Sequence, residues 1–146
     1  MTKEELTARE AGAWAEFETL LAAVPEERLE TPALDGGWSV KDVLWHVAFW
    51  WDDLVRASGE EWRELEGDTD AINERELGRS RAEPFAEVRA KADESRSQML
   101  GMWASLGEIT PEIEEWFVVE TVEHYAEHLP QIRTMAEDPT VKARGA

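Results

Sequence analysis

The chain has 146 residues, 42% of them hydrophobic and 33% charged, enough for one domain that buries most of its apolar surface. Fifteen basic residues against 33 acidic ones leave a net charge of -18, which repels nucleic acid and anionic lipid headgroups because both need dense Lys/Arg patches. There is no cysteine, so disulfides, thiolate metal sites and a cysteine nucleophile are all excluded.

The start, MTKEELTARE, lacks the apolar centre of a secretory signal, and no stretch approaches about 18 consecutive apolar residues. A cytoplasmic, non-membrane protein is expected. A first helix is predicted over 3–24. Thr2 and Glu5 form a capping-box pattern, and Leu6, Ala13, Phe17, Leu20 and Val24 repeat along one stripe. Pro25 and the turn residues of ETPALDGG end it. A second helix is predicted to about residue 57, with Ser39 as N-cap, Asp42 completing another capping box, and a buried face from Val40 to Val55. Residues 58–79 are acidic and interrupted by Gly59, Gly67 and Gly78, which leaves room for one short helix around 60–65. A third helix is expected from about Ser80, with Phe85, Val88, Ala92, Met99, Trp103 and Leu106 as its stripe. The fourth opens at Thr110 and Pro111 and runs to about residue 137, kinked or interrupted at Pro130.

The reading is all-α: a four-helix bundle spanning 1–146 as one domain, with a short flexible tail from about 138 to 146. The connection between the second and third helices is too long for a tight turn, so it can cross the bundle and leave those two helices parallel.

The sequence holds only three histidines, His46, His124 and His128. The pair His124/His128 lies four residues apart, hence on one helix face, and that face carries Phe117, Thr121 and Met135. His46 sits in GWSVKDVLWHVAFWW among four tryptophans, one turn from Val43 and from Trp50. Buried imidazoles need partners, and three neutral ones facing a common interior present lone pairs to a divalent ion. A hydrogen-bonded core histidine and a surface pair are the plainer alternatives. Zinc, nickel, iron and copper all accept such a donor set.

GWSVKDVLWHVAFW followed late in the chain by VEHYAEHLPQI resembles the DinB-like superfamily, including its maleylpyruvate-isomerase-type branch, and DTDAINERE adds a weaker match. The resemblance implies a four-helix bundle with a long connection after the second helix. It also implies a metal triad, with His46 matching the second-helix ligand and His124 and His128 matching the H-x-x-x-H pair of the fourth. Maleylpyruvate isomerases often carry glutamate where His124 stands. Zinc or nickel, a low-molecular-weight thiol cosubstrate such as mycothiol or bacillithiol, and homodimerisation are further implications of the likeness.

Three imidazoles leave a divalent ion at least one open position. Asp53 and Glu120 lean towards the same faces, each as a ligand, an acceptor for an imidazole N–H, or a general base; a solvated carboxylate at the bundle edge is the plainer role. Trp50 is the candidate pocket wall for a small-molecule substrate. Trp38 is expected to anchor the loop at the start of the second helix. Three functions stay open: a metal-dependent thiol transferase or isomerase, a metal-dependent hydrolase, and a non-enzymatic metal- or small-molecule-binding bundle of the stress-related kind.

Overall fold

Side-chain caps decide where the helices begin. In the computed structural model, which describes residues 1–138, Thr2 Oγ1 accepts from the Glu5 N–H at 3.1 Å and opens α1 (Lys3–Ala23). Ser39 and Asp42 cap each other reciprocally, at 3.2 and 2.9 Å, and open α2 (Val40–Gly59). Asp68 accepts from Asp70 N–H at the start of α3 (Thr69–Arg81), and Pro84 precedes α4 (Phe85–Ser105). Thr110 caps α5 (Pro111–Val118) with Pro111 in the first turn. The chain then passes through a π-helical turn, Val119–Glu123, into α6 (His124–Glu137).

The architecture is all-helical, a bundle of four long elements (α1, α2, α4 and the composite α5–π–α6) with α3 in the crossover. Cross-links between helices give the directions. Glu10 pairs with Arg96 and Glu18 with Arg89, so α1 and α4 run antiparallel. Lys41 donates to the Glu83 carbonyl at 2.7 Å and Lys91 pairs with Asp52, so α2 and α4 run parallel. His46 lies by His128, and Trp62, just past the end of α2, by Trp116, so α2 runs antiparallel to the composite α5–π–α6 element.

The crossover differs from the sequence reading. Residues 60–65 form turns and extended chain, because Glu61 and Trp62 adopt positive φ (54° and 59°), while the Trp62 N–H bonds back to the Ala57 carbonyl. The helix of the crossover is α3, further along, and it ends at Arg81; the bundle helix after it starts at Phe85, not near Ser80. α3 docks through Ile72, Glu76 and Ser80, a stripe at spacing four of which two members are polar. Glu76 accepts from Trp45 Nε1–H at 3.1 Å, and Ser80 donates to Asp42 Oδ1 at 2.7 Å. On α1 the buried stripe is Leu6, Glu10, Trp14, Phe17 and Leu21, so Ala13 and Leu20 sit at its margin rather than its centre. α6 continues through Pro130 without interruption, and the irregularity of the fourth element falls earlier, at the π turn. From residue 139 onwards the expected tail lies outside the described residues.

The core is aromatic. Trp14 stacks on Phe17 at 5.0 Å and meets Trp51 edge-on, and Trp103 stacks on Phe117 at 3.9 Å. A buried polar chain runs through it. Trp51 Nε1–H donates to Tyr125 Oη at 2.9 Å, the Tyr125 hydroxyl donates to Glu10 Oε2 at 2.7 Å, and Arg96 grips both Glu10 oxygens. Glu10 has no solvent exposure. Its removal strands a guanidinium and a hydroxyl inside the bundle, so Glu10→Ala is expected to cost about 3–5 kcal/mol in urea denaturation, and Tyr125→Phe only about 1–2 kcal/mol.

Candidate metal centre

α2 turns Val43, Val47 and Trp51 fully inward, and His46 lies on the same side of that helix, towards α6. His124 opens α6 directly after the π turn and is buried, and His128 follows one turn later, half-buried. The three rings form a nearly equilateral triangle, with centroids 4.8, 5.1 and 4.9 Å apart. One nitrogen from each lies within 4.8 Å of the other two, an arrangement that could hold a metal ion. Nε2 of His46 and Nε2 of His124 approach to 2.9 Å, and Nε2 of His128 is buried with no hydrogen-bond partner.

The far side of each ring is set by a different element. Asn73 of α3 accepts from Trp50 Nε1–H at 3.1 Å, and its side chain lies close to the His46 ring. His128 Nδ1 is paired with Gln131 Oε1 at 2.7 Å, which directs its Nε2 inward. The Glu120 carbonyl, at the π turn, lies near His124 but is not aligned for a good hydrogen bond, and His124 Nδ1 is left without a partner. Trp38 packs edge-on against His46 at 5.1 Å, so this loop tryptophan also abuts the site.

Burial, with His128 adding, holds His46 down to about 4, against the Asn73 hydrogen bond. Burial again, with the two neighbouring imidazoles, holds His124 down to about 2. Both rings are therefore neutral at ordinary pH. The donor set fits a divalent cation: imidazole lone pairs directed at one point and a buried Nε2 that nothing in the protein satisfies.

The carboxylates lie beside the triad and not in it. Among the described residues the cluster consists of the three histidines alone. Asp53 is buried and accepts from Arg56 Nε–H at 2.7 Å, and the half-buried Glu120 faces it across the helices. Neither is a solvated edge group. Burial pushes the Glu120 carboxyl up to about 8, with the charges of Asp53 and Glu127 adding, and its Oε2 has no partner. Trp50, Asp53 and Glu120 share the wall of a cleft of about 810 Å³ that no histidine lines; Trp50 lies one helical turn from His46 and Glu120 about one turn before His124.

A family model, the DinB superfamily, matches residues 11–132. The chain belongs to the DinB superfamily. No curated protein and no solved structure shows significant similarity to it. The superfamily match spans α2, α3 and the α5–α6 element and so takes in every residue of the candidate centre. Among the described residues, no helix is long and apolar enough to cross a membrane.

Sequence reasoning missed Asn73, Gln131 and the placement of Trp38. Gln131 had a signal, its three-residue spacing from His128 on one helix. Asn73 had none, since its role depends on where the crossover lands.

The Glu120 shift has a thermodynamic sign. A carboxyl raised in the folded state stabilises below its unfolded value near 4.5 and loses that contribution as pH rises through about 8. The depressed histidines act in the opposite sense, losing stability as pH falls from their unfolded value near 6.5 towards about 4. Glu120→Gln removes the first effect and leaves the second. Thermal melts of metal-free protein should show E120Q increasingly more stable than wild type from about pH 5 to about pH 8.

Proposed function

We propose that this protein is a metal-dependent enzyme of the thiol-transferase or isomerase type, acting on a small molecule in the cytoplasm, with zinc or nickel at His46, His124 and His128. The observation that carries this reading is the convergence of three imidazoles with, among the described residues, no carboxylate in the cluster, next to a cleft of about 810 Å³. A structural ion would be enclosed by four protein ligands, whereas three leave a position for substrate. When bound, a divalent ion supplies Lewis acidity, polarising a carbonyl or lowering the pKa of a thiol or water. A chain without cysteine must import its thiol; mycothiol is the first candidate cosubstrate on the family resemblance. Homodimerisation belongs to the same resemblance.

The chain's own residues supply the rest. Gln131 fixes the ring of His128, and Asn73 lies against that of His46. Trp50, pinned by Asn73, presents its ring to the cleft. Glu120, neutral over much of the physiological range, can give a proton from its carboxyl and recover it. Asp53, held by Arg56, lines the same wall.

Glu120 also favours a second reading, hydrolysis, in which it would exchange a proton with an attacking water. Turnover of esters or amides without added thiol separates the two.

Protein purified without a histidine tag should bind one divalent ion per chain, lost in His46→Ala, and should conjugate a thiol to electrophiles only when loaded. Absence of thiol-dependent turnover with zinc or nickel bound would remove the leading reading. Asn73→Ala should weaken the metal by about 10–100-fold in a chelator competition, because His46 loses the group that orients it.

A further inference from the structure

The wall of the cleft has a composition that the metal centre does not explain. Trp50, Trp62 and Trp116 all line it, and the last two form an aromatic corner with centroids 5.7 Å apart at 60°. Val119 opens onto it and is 43% exposed; among the described residues, the other exposed large hydrophobic residue is Met1. Ile113 and Leu65 extend the same apolar lining. The charged residues of the lining are all acidic.

Asp53 and Glu120 sit at the triad side, and Glu61, Glu64, Glu112 and Glu115 around the rest; no lysine or arginine lines the cleft. Several acidic groups elsewhere are paired, Glu10 with Arg96, Glu30 with Lys41, Asp52 with Lys91 and Glu76 with Arg79. A smaller hollow between α2 and α4, about 280 Å³, contains both members of the Asp52–Lys91 pair. At the large cleft Asp53 has a basic partner, Arg56, and among the described residues the other five carboxyl groups have no ion pair. Glu120 Oε2 is shut off from solvent with nothing bonded to it.

We propose that this cleft binds an organic cation, an ammonium group carried on an apolar body. The faces of Trp62 and Trp116 attract the positive head through their quadrupoles, the carboxylates of Glu61, Glu64, Glu112 and Glu115 add charge attraction, and Trp50 and Val119 cover the apolar part. Anions of comparable shape are repelled by the same wall. As a statement of the substrate class of the metal centre this rests on the activity proposed above; as a statement about binding it does not need the metal.

The test uses metal-free, untagged protein and three probes with one body and different heads: 4-phenylbutylammonium, 4-phenylbutanol and 4-phenylbutyrate. Calorimetric titration, checked by tryptophan fluorescence, should give saturable binding of the ammonium about tenfold or more tighter than the alcohol, with the carboxylate weakest. The double variant Glu112→Gln, Glu115→Gln changes two exposed side chains and should weaken only the ammonium, by about fivefold, while Trp62→Ala weakens ammonium and alcohol together. Equal affinity for ammonium and alcohol, an ammonium affinity unchanged in the double variant, or no saturable binding of any probe would overturn the proposal. Because the probes are titrated without metal, any of those results leaves the metal and turnover experiments to be judged on their own.

Discussion

Three imidazole nitrogens brought together inside a helical bundle are the constraint around which this protein is organised. Burial keeps His46 and His124 neutral, and the hydrogen bond to Gln131 spends the outer nitrogen of His128, so the inner Nε2 of that ring faces inward with its lone pair unmet. An apolar interior tolerates such a group only where something compensates it. A divalent ion does so for all three rings at once.

The fold serves that convergence in layers. The Trp51–Tyr125–Glu10–Arg96 chain sits one turn from His46 and immediately after His124, and it ties α1, α2, α4 and α6 into one unit. Because those bonds are buried and mutually satisfied, the helices carrying the ligands have little freedom to slide. α3 then brings Asn73 against α2, where it holds the Trp50 indole close to the His46 ring. The π turn ahead of His124 carries Glu120 towards the cleft, and Thr121 bonds back to the Phe117 carbonyl within the widened turn.

Those layers differ in how far the sequence reveals them. The four bundle helices are legible because their cues are local: capping pairs at Thr2, Ser39 and Thr110, and apolar stripes such as Val43–Val47–Trp51–Leu54. The histidine triad is legible because helical spacing puts His124 and His128 on one face and His46 lies inside an apolar stripe. α3 is not, since two of its three buried positions, Glu76 and Ser80, are polar and pair with Trp45 and Asp42 across the fold. No hydrophobic period announces a helix docked by hydrogen bonds. The stripe of α1 is displaced for a similar reason: Glu10 is wholly buried because Arg96, 86 residues away, is there to meet it. Trp38 reads as a loop anchor from its neighbours in sequence, but the loop folds back far enough for its ring to touch His46. The cleft is assembled from three separate stretches, so its one-signed wall exists only after folding.

A crystal structure of metal-loaded protein with anomalous diffraction measured across the absorption edges of zinc and nickel puts the central claim to the most direct test. The account predicts one anomalous peak per chain, bonded at about 2.0–2.1 Å to Nε2 of His46, His124 and His128, with an open position and no fourth protein ligand. A peak elsewhere, or any one of these rings turned outward from its two companions in the loaded protein, would contradict it.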